Sequence, residues 1–235
     1  MVYITGDIHG KAKRISQFCR KFDLNKEDVV IILGDVGINY FGPDSWQDRK
    51  EKMELAKLPC TIFCIQGNHE QRPTHFPELY HLKEWNGGSV WYETEFPNIL
   101  FAKDGDIYNI NDKKYLVIGG AYSVDKNYRL SIGGKWWKDE QPSQEIKKYV
   151  EEQVKINPSV DVVLTHTCPA KYIPVECFLS FVDQSTVDNS TEEWLDSIEN
   201  QLDYKAWFCG HWHTTKHIDK MHFLFEDFES EDDIK

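Results

Sequence analysis

Five consecutive apolar residues, Val29-Val30-Ile31-Ile32-Leu33, close on Gly34-Asp35. Such a β-branched-rich run offers no polar face to water and reads as a strand buried on both faces. The neighbouring segments supply the cover. Val2 to Gly6 is a shorter apolar run that ends at Asp7, and Lys11 to Phe22 carries Ile15, Phe18, Cys19 and Phe22 at helical spacing. Pro43-Asp44-Ser45 offers a start for a helix over Trp46 to Leu58, and Thr61 to Gln66 is a third strand ending at Gly67-Asn68-His69. The β-α-β-α-β order predicts an α/β fold with parallel strands and right-handed crossovers.

Beyond residue 88 the pattern changes. Ser89 to Tyr92, Ile99 to Ala102, Ile107 to Ile110 and Tyr115 to Ile118 read as short strands, with Asn111-Asp112-Lys113 as a hairpin turn. Tyr122 to Gln141, which contains Trp136-Trp137, reads as a surface loop or short helix. Pro142 to Ile156 is a helix, Val160 to Leu164 a buried strand, Thr167 to Asn189 an irregular stretch and Thr191 to Leu202 a helix. Ala206 to Cys209 and His217 to Phe225 are read as the last two strands, and Glu226 to Lys235 as an acidic, frayed tail. With no repeat and no low-complexity linker, residues 1–235 are expected to form one domain.

Lys plus Arg number 27 against 39 Asp plus Glu, a net charge of −12 that argues against a general nucleic-acid coat. No stretch reaches the ~20 apolar residues of a membrane helix. The opening Met1-Val2-Tyr3-Ile4-Thr5 leaves no room for a secretory signal before Gly6-Asp7, and the six cysteines form no C-x-x-C pair. The expectation is a cytoplasmic protein with reduced, mostly core cysteines.

Five predicted strands end in the same kind of residue: Asp7 with His9, Asp35, Asn68 with His69, His166, and His211 with His213. Sites in open α/β sheets form beyond the carboxyl ends of the strands, so these side chains can converge on one crevice. Carboxylate, imidazole and amide oxygen without thiolate suit Mn²⁺, Fe²⁺, Ni²⁺ or Zn²⁺ better than a structural cysteine-rich site. A lone Gly-Asp or a lone histidine at a strand end carries little weight; the ordered combination does. His75, His81, His217 and His222 lack that setting and are read as structural or surface residues.

The set Gly6-Asp7-Ile8-His9-Gly10, Gly34-Asp35, Gly67-Asn68-His69-Glu70, Thr165-His166 and Gly210-His211-Trp212-His213 resembles the calcineurin-like metallophosphoesterases. The resemblance implies two stacked mixed β-sheets flanked by helices, an α/β/β/α sandwich. It also implies two divalent metal ions, one held by Asp7, His9, Asp35 and His213, the other by Asp35, Asn68, His166 and His211. Mn²⁺ is the first choice, with Fe, Ni or Zn as alternatives. Two such ions clamp a phosphoryl group and generate a hydroxide near neutral pH. Asp35 would bridge them, and His69 corresponds to the family's catalytic histidine, a general acid for the leaving oxygen.

Departures from the pattern bear on substrate. The Asp-Arg pair of the family's protein Ser/Thr phosphatases is replaced by Val36-Gly37-Ile38-Asn39, which disfavours that activity and leaves the orientation of His69 to another residue. Arg72, Tyr122, Lys126 and Arg129 are the candidates for gripping substrate, and Trp136-Trp137 for stacking on a base. The stretch from Gly87-Gly88 through Arg129 is also loosely similar to RNA lariat-debranching enzymes, but His9 is intact where that family usually replaces it. The expected substrate is a phosphorylated small molecule or nucleotide, cleaved as a phosphomonoester or phosphodiester. A nucleotide or oligonucleotide phosphodiesterase or nuclease is the alternative, although the charge does not indicate nucleic acid. A non-catalytic scaffold of the same fold is disfavoured, because no ligand position is lost. No membrane partner is expected, and the sequence gives no oligomeric state.

Overall fold

The computed structural model describes residues 1–178 and 183–234; residues 179–182 of the irregular stretch and Lys235 of the tail lie outside the described residues. The first half comprises β1 (Val2–Thr5), α1 (Ala12–Lys21), β2 (Val29–Ile32), α2 (Trp46–Ala56), β3 (Thr61–Cys64), β4 (Tyr80–Trp85), β5 (Gly88–Glu93), β6 (Ile99–Ala102), β7 (Ile107–Ile110) and β8 (Lys113–Ile118). The second comprises α3 (Lys126–Ser131), α4 (Gln144–Ile156), β9 (Val162–Thr165), α5 (Ser190–Glu199), β10 (Ala206–Cys209), β11 (Lys216–Ile218), β12 (Met221–Phe223) and β13 (Phe228–Ser230).

The strands form a seven-stranded sheet in the order β13-β1-β2-β3-β6-β5-β4 and a six-stranded sheet in the order β11-β12-β10-β9-β8-β7. β1, β2, β3 and β6 run parallel in the first, as do β8, β9, β10 and β12 in the second; the outer pairings β1–β13, β5–β6, β4–β5, β7–β8 and β11–β12 are antiparallel. Period-two alternation sends Val29, Ile31 and Leu33 toward Tyr115, Val117, Val162, Leu164 and Phe208 of the other sheet. Val30 and Ile32 face Ile15 and Cys19 of α1 and Leu55 of α2. On the far side, Val163, Trp207 and Cys209 meet Val150 and Val154 of α4 and Leu195 and Ile198 of α5. Each buried aliphatic side chain contributes about 1.5–3 kcal/mol, and the result is the four-layer α/β/β/α sandwich. Ser45 and Ser143 start α2 and α4 by accepting the N–H of Asp48 and Ile146, each at 3.3 Å.

Three differences from the sequence reading stand out. Tyr80–Trp85 is a strand at the sheet edge, where an exposed apolar Leu82 breaks the expected inside–outside alternation. The expected strand over His217 to Phe225 is a hairpin, β11–β12, turned at Asp219 with φ of 54°. Residues 228–230 of the supposedly frayed tail pair with β1 as β13, and the buried Glu231 carboxylate accepts the Val2 N–H at 3.1 Å and the Tyr115 hydroxyl at 2.9 Å.

Candidate metal centre

The parallel strands of both sheets point their carboxyl ends to one rim, and the loops there bring all seven expected ligands together. His9 N–H donates to the Asp35 carbonyl at 2.8 Å and Gly10 N–H to the Val36 carbonyl at 2.9 Å, which ties the first loop to the second. Glu70, wholly buried, accepts Val36 N–H at 3.0 Å and Gly67 N–H at 3.1 Å and so ties the second to the third. Gly67 is required by proximity: a Cβ there would sit 2.1 Å from Asp35 Oδ1 and 2.2 Å from Asp35 N. Gly34 has φ of +95°, and its Cβ would fall 2.2 Å from His166 Nδ1.

Two clusters result, with Asp35 reaching both. In one, His213 Nε2 lies 3.1 Å from Asp7 Oδ2 and 3.0 Å from His9 Nε2, and His9 Nε2 is 3.9 Å from Asp35 Oδ2. In the other, Asn68 Oδ1 lies 2.7 Å from His166 Nε2 and 3.1 Å from His211 Nδ1, and His166 Nε2 is 3.5 Å from Asp35 Oδ1. His9, Asp35, His211 and His213 all hold left-handed backbone, with φ of 43°, 47°, 65° and 48°. Such strain, ~1–3 kcal/mol per residue, concentrates where function demands a geometry.

The donor chemistry fits cations. His166 Nδ1 donates to the Leu33 carbonyl at 2.6 Å, so a neutral ring presents a lone pair at Nε2. That lone pair faces Asn68 Oδ1, itself an acceptor whose orientation is set because Asn68 Nδ2 donates to Ser123 Oγ at 2.8 Å. Two acceptors in contact are stabilised by a shared cation. Asp7 Oδ2 is likewise buried without a well-formed hydrogen bond. Burial pushes the His211 pKa down to about 3, keeping it a neutral ligand. Burial opposes the charge of Asp35, whereas the His69 backbone N–H at 2.8 Å favours it. The Asp7 carboxylate raises the His213 pKa.

His69 lies beside the clusters, its ring edge-on to His9 at 5.5 Å. Arg129 Nη1 donates to His69 Nδ1 at 2.8 Å, and Asp125 Oδ1 is 3.8 Å from His69 Nε2. A guanidinium has no lone pair to offer, so Nδ1 accepts and the ring proton sits on Nε2. Burial holds the His69 pKa low, with Arg129 acting in the same direction against Asp35 and Asp125. Arg129 Nη2 also donates to Ser123 Oγ at 3.3 Å, and Ser123 Oγ–H donates to the buried Glu140 at 2.5 Å. One network thus positions both Asn68 and His69. Ser123 and Glu140 escaped the sequence reading because nothing local marks them; only the packing of the loops on either side of α3 brings them to the rim.

The other anticipated substrate contacts are dispersed. Arg72 is paired with Asp104 at 2.6 Å and donates to the Asp139 carbonyl at 3.0 Å, in a separate cleft with Tyr149. The Tyr122 hydroxyl faces the Thr186 carbonyl at 3.5 Å. Lys126 Nζ stacks 3.7 Å over Trp136, and Trp136 and Trp137 line a different depression with His75. The aromatic wall of the centre is instead Trp212 and Phe178, stacked at 6.3 Å. They line a cleft of ≈ 340 Å³ with His9, Asp35, Asn68, His69, Asp125, His211 and His213.

No curated protein matches the sequence. The crystal structure of TT1561 of Thermus thermophilus is similar in fold, with a TM-score of 0.52 at 10% identity over 95% of this chain and 87% of that chain. The profile of the calcineurin-like phosphoesterases matches residues 1–215, a span that takes in every strand-end loop described above. The chain therefore belongs to the calcineurin-like phosphoesterase family, whose members are generally metal-dependent phosphoester hydrolases.

Proposed function

We propose that the protein hydrolyses a soluble phosphoester with two divalent ions, one on Asp7, His9, Asp35 and His213, the other on Asp35, Asn68, His166 and His211. The observation that carries this reading is the pair of clusters sharing Asp35, one of which sets two acceptors in contact. Bound there, the ions supply Lewis acidity, water activation and neutralisation of phosphoryl charge; Mn²⁺ is the ion to test first. His69 serves as general acid: Arg129 keeps the proton on Nε2, from which it can reach the leaving oxygen. Asp7 and Asp35, rigidly held by backbone N–H groups, keep the histidines oriented. The −12 net charge disfavours a polymeric nucleic-acid substrate, and the cysteines, free and mostly buried, fit a cytoplasmic setting.

A nucleotide phosphodiester is the second reading, favoured by the Trp212–Phe178 wall beside the clusters. The test pairs a chromogenic phosphomonoester with a chromogenic phosphodiester on Mn²⁺-loaded protein. Asp35→Asn should lose metal and turnover together, and His69→Ala should keep metal and lose ~10²–10⁴-fold in rate. Full activity and metal content in Asp35→Asn would overturn the shared-ligand assignment. Loss of diester cleavage alone on truncating Trp212 would select the nucleotide reading.

A further inference from the structure

Two histidines outside the segment matched by the family profile meet a carboxylate from the opposite sheet. His217 on β11 and His222 on β12 are direct cross-strand partners, with ring centroids 4.4 Å apart. Glu229 comes from β13, where it pairs with Ile4 of β1. His217 Nε2 lies 2.6 Å from Glu229 Oε1 and His222 Nδ1 2.7 Å from Glu229 Oε2, and one ligand atom from each residue lies within 4.8 Å of the other two.

We propose that His217, His222 and Glu229 form a further transition-metal site, separate from the strand-end centre and able to clip the edge of one sheet to the edge of the other. Two imidazoles and one carboxylate favour Zn²⁺, Co²⁺, Ni²⁺ or Cu²⁺ over Mg²⁺ or Ca²⁺. Tetrahedral bonds of ~2.0–2.1 Å set ligand atoms about 3.3 Å apart. The present contacts of 2.6 and 2.7 Å therefore open by about 0.6 Å, a small side-chain rotation. Neutral rings move their proton to the far nitrogen, His217 to Nδ1 and His222 to Nε2, and need release none. His222 is steadied by the Phe208 ring at 4.5 Å, while His217 is half-exposed and leaves a side open for water as fourth ligand. The nearby cation of Lys216 is engaged by Glu176 and does not compete for Glu229. The site does not rest on the phosphoesterase reading, because it shares no residue with that centre.

The experiment titrates chelator-treated full-length protein with Co²⁺ alone, reading bound metal by equilibrium dialysis and ligand-field bands in the visible. His217→Asn/His222→Asn should bind one equivalent less than the unmutated chain and keep its phosphoesterase rate. In an Asp35→Asn background, Zn²⁺ should still raise the melting temperature, and adding Glu229→Gln should abolish that rise. Equal stoichiometry in the unmutated and double-histidine proteins overturns the proposal, as does a Zn²⁺-induced rise that survives Glu229→Gln. Should the double variant fail to fold, His217→Asn alone, at a half-exposed position, gives the same comparison: retained stoichiometry refutes the site and loss of one equivalent supports it.

Discussion

Replacing Arg129 by alanine separates two roles for this residue. The sequence alone places it among groups that grip substrate, whereas its guanidinium is engaged with His69 Nδ1 at 2.8 Å and Ser123 Oγ at 3.3 Å, and it is 5% exposed. A hydrogen bond from a charged donor at a buried site contributes ~1.5–3 kcal/mol. If that energy selects the ring orientation and the Nε2–H tautomer, its loss lowers kcat by about 10- to 100-fold, one decade per ~1.4 kcal/mol. KM should stay near its original value, because no substrate contact is removed. The pH profile adds a signature that loss of stability alone would not produce. Arg129 helps hold the His69 pKa low, so its removal should move the His69 limb of the kcat profile to higher pH. Arg129→Lys should recover part of the rate, since one ammonium cannot match both arms of the fork. The assay is steady-state hydrolysis of a chromogenic phosphodiester across pH with Mn²⁺ saturating. A raised KM with unchanged kcat and an unmoved pH limb would refute the positioning role and return Arg129 to the substrate.

Buried Glu192 accepts the Thr167 hydroxyl at 2.7 Å, and burial pushes its pKa up to about 7. The folded state therefore holds a proton that the unfolded chain releases near pH 4.5, so stability falls as pH rises toward 7. Glu192→Gln should remove this dependence and gain about 3 kcal/mol at about pH 8 but almost nothing at about pH 4; parallel urea curves for both proteins would refute it. Gly67→Ala forces a Cβ against Asp35 N, a backbone atom that cannot swing aside, and should abolish Mn²⁺ binding; dialysis showing normal metal content would exclude the clash. Trp212→Ala should raise KM for nucleotide diesters by about 5- to 150-fold, in line with ~1–3 kcal/mol for base stacking, and leave a small aliphatic phosphoester unaffected; equal effects on both would remove stacking as the cause.

Wherever a signal was local, the sequence carried it. The run Val29 to Leu33 announced a doubly covered strand because burial on two faces leaves no polar position, and it is buried throughout. The five strand-end loops were legible because each combines a strand with its closing residues, and the fold brings these loops to one rim. Legibility failed where residues direct their chemistry to distant partners. Glu229 and Glu231 look like tail charges until His217, His222, Tyr115 and the Val2 N–H are found around them. Arg129 on α3 and Arg72 on a loop both sit among polar neighbours, and only tertiary packing sends one to His69 and the other to Asp104. β4 eluded the pattern because the residues it turns outward at the sheet edge include an apolar Leu82.

The pairing of β13 with β1 also fixes an order of events. β1 leads directly into the loop of Asp7 and His9, yet it gains its second neighbour only through residues 228–230, and the Thr5 hydroxyl is held by the Asp227 carbonyl at 2.7 Å. His213 in turn stacks on Phe225 at 4.5 Å. A chain emerging from the ribosome thus displays its first metal-type side chains some two hundred residues before the last of them, and before the strand that braces them. Closure across so long a separation is slow and must come late. The strand-end set from Asp7 to His213 is therefore complete only in a nearly finished chain.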